Sequence, residues 1–274
     1  MLIKTLVENT SISEDFGHEH GLSLYIETME HRILFDVGAS DLFLQNAGNL
    51  DVNISEIDYL VISHGHNDHG GGLGTFLKVN TSAEVFLHHL AFEGYYSNRA
   101  NDKLRYIGLD ANLKDNNQIV LTSDRFFISK GIQVISNIEQ IEPLPVSNSG
   151  LLMEREGQMV DDDFAHEQNL IIEEDGKILL ITGCAHNGII NILEHIQSLI
   201  GRMPDYVIGG FHLSSRSGRN VDSETIDRLG KYLLGTEAKY YTCHCTGIEA
   251  YKRLKPAMGD RLDYLPAGSV IEIH

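Results

Sequence analysis

The 274-residue chain is long enough to bury a large core, and its 42% hydrophobic content with only five prolines describes a folded chain throughout rather than a disordered one. A formal net charge of −18 argues against nucleic acid as a partner, since each phosphate contact needs a local cation; a small anionic molecule stays accessible to a cleft whose metal ions, or a few local Arg and Lys, reverse the potential. The N-terminus turns acidic too early for a secretory signal, no apolar run approaches membrane-spanning length, and three cysteines lack scaffold spacing, so the expectation is a cytoplasmic protein with reduced thiols and no membrane partner.

Apolar alternation predicts strands over residues 2–8, 22–28 and 31–37, the last two joined by a tight turn, followed by an amphipathic helix over 41–49. DYLVIS (58–63) is a compact apolar strand that runs into HGHNDHGGGLGTFLKV (64–79), where glycines give way to a short helical segment. Residues 83–160 are less regular, with short strands such as EVFLHH (84–89) and FFISKG (126–131) between polar stretches, and form the expected variable region for substrate contacts. Arg99, Lys103 and Arg105 are its densest basic group, read as a solvated face in preference to a phosphate receptor. NLIIEEDGKILLIT (169–182) predicts a hairpin around Asp175-Gly176; then follow a helix over 189–200, a strand over 205–210, and helix, strand and helix over 223–234, 238–243 and 247–254. Both halves open on hairpin-type β structure and pass into β-α alternation. The expected class is α/β, with two packed sheets and helices outside, in a single domain over 1–274.

Chemistry concentrates between Ser63 and Gly72. His64 and His66 stand two apart, so on extended backbone they project to one side and can share a metal; Asp68 and His69 then fall on the turn, where they can face a second ion. Imidazole and carboxylate suit zinc or iron, and Gly70, Gly71 and Gly72 let the backbone pack closely beside the site. The plain alternative is a His-rich surface loop, which the preceding strand and following glycines disfavour.

VISHGHNDHGGGL (61–73) resembles the signature of the metallo-β-lactamase superfamily. That resemblance implies an αββα sandwich, two mixed β-sheets flanked by helices, and two divalent ions, zinc foremost with Mn or Fe as alternatives. It also implies a supporting role for Asp36 in ILFDVG, which matches the early Asp that orients the metal loop. His166 in AHEQNLII stands where the third His precedes a hairpin strand. Where the family has an Asp bridging both metals, this chain reads ITGCAH and has Cys184, a good zinc ligand as thiolate or, alternatively, a small buried packing residue. His186 follows as a second-choice ligand or substrate contact, or as a hydrogen-bonding residue. His212 in VIGGFHL and His244 in YYTCHCTG compete for the last ligand position; likeness to phosphate-ester-cleaving members assigns His244 to metal and His212, with Asp68, to catalysis, the reverse staying open. Cys243 and Cys245 flank His244 on the predicted strand and are expected to point away from it, while His18, His20, His88, His89 and His195 read as surface or packing residues.

Glu8 and Asn9 in VENT, Gly21 and Ser23 in HGLSL, and the TGCAH, GGFHL and HCTG segments resemble one branch of the superfamily, similar to a dihydropterin-ribofuranosyl-aminobenzene phosphate synthase of methanopterin biosynthesis. The likeness spans nearly the whole chain and is weakest over 83–160. It implies a metal-dependent hydrolase, with water shared by the two ions as the source of hydroxide, or a transferase in which the metals stabilise a departing diphosphate while an arylamine attacks a pterin methylene carbon. The substrate is then a small, phosphorylated molecule, and a homodimer is compatible. Competing classes are a zinc β-lactamase or lactonase-type ring-opening hydrolase, a non-catalytic or redox metal-binding module, and a nuclease, the last disfavoured by charge.

Overall fold

Residues 1–99, 103–215 and 219–274 are described by a computed structural model, Arg99 by its backbone only, so of the basic group Arg99, Lys103 and Arg105 the Arg99 side chain lies outside the described residues. The first third carries β1 (Leu2–Val7), β2 (Ser23–Glu27), β3 (Arg32–Phe35), α1 (Leu42–Asn49), β4 (Tyr59–Val61), α2 (Asn67–Gly70) and α3 (Leu73–Val79). The middle carries β5 (Glu84–His88), β6 (Tyr95–Arg99), β7 (Lys103–Tyr106), β8 (Ile119–Thr122), β9 (Arg125–Ser129), β10 (Ile132–Ile135), β11 (Leu151–Arg155) and β12 (Gln158–Asp161). The last third carries β13 (Asn169–Glu174), β14 (Lys177–Ile181), α4 (Ile189–Ile200), β15 (Tyr206–Gly209), α5 (Ser223–Gly235), β16 (Lys239–Thr242), α6 (Ile248–Met258), β17 (Leu262–Tyr264) and β18 (Val270–Glu272).

These strands build two seven-stranded mixed sheets, β18-β1-β2-β3-β4-β5-β8 and β17-β16-β15-β14-β13-β10-β9. In the first, β18, β1, β2 and β3 pair antiparallel and β3, β4, β5 and β8 parallel. The second repeats the scheme, antiparallel from β9 through β10 and β13 to β14 and parallel from β14 to β17. Alternation along each strand decides the layers. Ile33 and Phe35 face the second sheet with Leu24, Ile26, Leu179 and Ile181, whereas Leu34 and Leu60 turn outward onto Phe43 and Phe76 of α1 and α3. Ile178 and Leu180 likewise face α4, α5 and α6 through Ile192, Leu229 and Leu254. Covered on both faces, β14 reads as an apolar run from Ile178 to Ile181 after Lys177. The result is the expected αββα sandwich.

Two local features differ from expectation. Asp68 and His69 sit in a one-turn helix, α2, rather than on an open turn, because Gly70 N–H and Gly71 N–H bond back to the carbonyls of His66 and Asn67. The irregular middle region gives β5, β8, β9 and β10 to the two main sheets and forms a third sheet from the rest, β12-β11-β6-β7, which places Ser97 and Arg105 opposite one another beside the motif loop. No helix among the described residues is long and apolar enough to cross a membrane.

Candidate metal centre

The loops leaving the carboxyl ends of parallel strands β4, β14, β15 and β16 meet at one edge of the sandwich, where open α/β sheets generally bind ligands. They deliver His64, His66, Asp68 and His69 from the first sheet and Cys184, His186, His212 and His244 from the second. An open cleft lies over them, lined by His66, Asp68, Cys184, His186, His212 and His244.

Each imidazole is turned by a partner behind it. Asp36, fully buried at the end of β3 with φ 60, accepts from Ser63 N–H (2.7 Å), Ser63 Oγ–H (2.8 Å) and His69 Nδ1–H (2.7 Å). His64 Nδ1–H donates to the same Ser63 hydroxyl (2.8 Å). His244 Nδ1–H donates to Asn9 Oδ1 (2.9 Å), and Glu8 accepts the His244 backbone N–H (2.6 Å). His186 Nδ1–H donates to Asn148 Oδ1 (2.9 Å), its backbone N–H to Glu167 (2.6 Å), and its ring stacks on Phe164 at 4.5 Å. With Nδ1 committed on all four, each presents Nε2 forward, the arrangement in which a second partner fixes a ligating tautomer.

What those nitrogens face is one another. His69 Nε2 lies 3.2 Å from His244 Nε2 and 3.2 Å from Cys184 Sγ, close to the roughly 3.3–3.5 Å edges of a tetrahedron with zinc–nitrogen and zinc–sulfur bonds of ordinary length. Nε2 of His64, His66 and His186 and both ring nitrogens of His212 are buried and find no hydrogen-bond partner. Unpaired buried nitrogens are costly unless something else takes their lone pairs, and divalent ions fit this donor set. The groups of donor atoms that lie within 4.8 Å of one another include His64, His69 and Cys184; His64, His66 and His186; Cys184, His186 and His212; Cys184, His244 and Cys245; and His20, Asp68 and His244. Cys184 belongs to three of these groups and so stands centrally among the donors.

Electrostatics supports the same donors. Burial, reinforced by neighbouring imidazoles, holds His64, His186 and His244 well below the usual histidine range, and burial lowers His66; all four stay neutral, as ligands must. His69 is the exception: burial opposes its charge, but Asp36 and Asp68 outweigh burial and lift it to about 9. Burial first, and then the neighbouring Cys245 thiol and the Asp68 and Glu167 carboxylates, push the Cys184 thiol well up, so a cation is needed to make it a thiolate.

The expected residues are thus placed unequally. His64, His66, His69, Cys184, His244 and Asp68 come together, with Asp36 directly behind His69. His186 stands with His64 and His66. His166 instead has Nδ1 accepting from Gly65 N–H (2.9 Å) and Nε2 3.1 Å from Asp162, a buried carboxylate that also lies 3.5 Å from His66. His212 is on the His186 side of Cys184, away from His69.

Two readings need correction. His244 does not lie within a strand: with φ 50 it leaves β16 and opens a 3-10 turn over His244–Thr246, so Cys245 does not alternate away but joins the cluster, while Cys243 stays in the core between the sheets. His20, its side chain one third exposed, is more than a surface or packing residue: its Nε2 is 3.2 Å from Asp68 and its ring packs on His244. Sequence reasoning also missed Asn148, Asp162 and Glu167. Of these only Asp162, four residues before His166, left a spacing signal.

Residues 17–185 match the family model described as metallo-beta-lactamase superfamily. The chain is 30% identical to the 7,8-dihydropterin-6-methyl-4-(beta-D-ribofuranosyl)-aminobenzene-5'-phosphate synthase of Methanocaldococcus jannaschii over 98% of this chain and 96% of that one. It is 31% identical to an uncharacterized protein of the same organism over 92% and 93% of the two chains. Among solved structures, Tm1679, a metal-dependent hydrolase of the beta-lactamase superfamily, superposes with TM-score 0.85 at 30% identity, covering 100% of this chain and 99% of that one. Zn(2+)-bound PqqB from Methylobacterium extorquens shares the fold with TM-score 0.60 at 13% identity over the whole of both chains.

Proposed function

Because the chain belongs to the metallo-β-lactamase superfamily, we propose that it is a metal-dependent transferase acting on small phosphorylated molecules in the cytoplasm, where its three free thiols stay reduced. The reaction proposed is the one that gives its M. jannaschii relative its name, coupling a dihydropterin-6-methyl donor that carries diphosphate to 4-(β-D-ribofuranosyl)aminobenzene 5'-phosphate. The observation that carries this is the convergence of five unpartnered buried imidazole nitrogens and the Cys184 thiol on a cleft with Arg105 at its mouth. Divalent ions held there would supply Lewis acidity toward phosphoryl oxygens. His64, His66 and His186 would hold one, His69, His244 and Asp68 the other, with Cys184 between.

The chain's own groups complete the chemistry. As the methylene carbon–oxygen bond breaks and the carbon–nitrogen bond forms, the arylamine loses one proton, and His212, whose ring nitrogens are unpaired at the cleft, is placed to accept it. Asp68 holds His20 beside His244 at the same wall. Arg105 offers its guanidinium to a phosphate.

The test incubates metal-loaded protein with the two half-molecules and follows diphosphate release and coupled product by mass spectrometry. Coupled product with equal diphosphate is the expected result. Diphosphate release without coupling would favour hydrolysis, the activity in the description of Tm1679; neither product would reject both.

A further inference from the structure

We propose that Cys245 is a second thiolate donor to the metal centre, sharing an ion with Cys184 and His244. The inference rests on the metal reading above and goes beyond it, since the relevant position would then be sulfur-rich.

Three observations carry it. The donor atoms of Cys184, His244 and Cys245 lie within 4.8 Å of one another, so closing on a common ion needs shifts of about 1 Å at most to reach ordinary zinc–nitrogen and zinc–sulfur distances. The backbone is built to put the thiol there: His244 takes φ 50, and Gly210 runs so close beneath that a Cβ on it would fall 2.4 Å from Cys245 Sγ. Lastly, Cys245 lines the cleft beside His212, itself only 6% exposed with both ring nitrogens unpaired, whereas Cys243, two residues earlier, is packed among apolar side chains of both sheets. Besides the weak 3.4 Å contact of Sγ–H with the Cys184 carbonyl, the Cys245 thiol faces the Cys184 thiol and the His212 ring, so it stands among the donor groups. Two thiolates would bias this position toward zinc or iron and away from manganese or magnesium, which prefer oxygen.

The test replaces the native metal with cobalt(II) under anaerobic reducing conditions and records cobalt stoichiometry and near-ultraviolet thiolate-to-cobalt charge transfer. Cys245→Ser should lower that absorbance by roughly a third to a half, depending on whether Cys184 makes one or two bonds. Cys184→Ala, retaining Cys245, should keep part of it, and Cys243→Ala should leave it unchanged. Full absorbance in Cys245→Ser, or complete loss in Cys184→Ala with cobalt still bound, makes Cys184 the sole thiolate and overturns the proposal. Wild-type protein that takes up no cobalt would instead overturn the metal reading on which it rests.

Discussion

Asp36 accepts three hydrogen bonds from two residues of the motif loop, and it does so from a left-handed backbone conformation that costs a non-glycine residue about 1–3 kcal/mol. Its carboxylate aims His69 and, through Ser63, His64. Asp36→Asn should therefore weaken metal binding about 10–100-fold, measured by competition with a chromophoric chelator, with the fold retained. The same pair sets a pH dependence for the metal-free protein. His69, raised from 6.5 to about 9, contributes stability that is full below 6.5 and is lost as pH rises through about 9. His64, His66, His186 and His244 are lowered by burial, so their contribution is full above 6.5 and falls away as the unfolded chain takes up protons below it. Urea unfolding of metal-free protein should show a stability maximum near pH 6.5, and a steady rise from pH 6.5 to 9 would contradict these assignments. At this scale the sequence shows the candidate ligands whose spacing is local: His64, His66, Asp68 and His69 lie within six residues. His20, Asn148 and Glu167 acquire their roles only from loops that fold in from elsewhere, and His166, whose ring packs beside His64 and His66, has its Nε2 on Asp162, a carboxylate it shares with His66.

Among the elements, the hairpins and long helices are legible because their signals are short-range. Asp175 and Gly176 take φ 53 and 74, the conformation a two-residue hairpin turn demands, and α4 occupies the very residues whose apolar spacing predicts it. The third sheet is not legible, since it pairs Leu151–Met153 with Tyr95–Ser97, more than fifty residues away, in short and partly polar strands. Two glycines separate turn geometry from site geometry. A Cβ on Gly183 would fall 2.2 Å from Ser63 Oγ, so Gly183→Ala should displace the Ser63–His64 backing, destabilise by about 1–3 kcal/mol and cost bound metal. Gly176→Ala, with open space around its Cβ but positive φ, should cost about 1 kcal/mol and leave metal content unchanged. Denaturant midpoints and metal analysis of the two variants check both halves of this contrast.

Across the whole molecule, the two sheets contribute donors to a shared centre: the loops after β4 supply His64, His66, Asp68 and His69, and the loops after β14 and β16 supply Cys184, His186 and His244. Ions bound there would cross-link the halves of the sandwich, so removing them should lower thermal stability, by about 4 kcal/mol per site when free metal exceeds Kd a thousandfold. Calorimetry with and without chelator measures that loss. The measurement that bears most directly on the centre is metal content per chain by mass spectrometry on desalted protein, comparing wild type with His186→Ala and His166→Ala. Two ions in wild type, loss of about one in His186→Ala and retention of both in His166→Ala is the predicted result. No bound metal in reconstituted wild type, or full occupancy in His186→Ala with loss in His166→Ala, would contradict it.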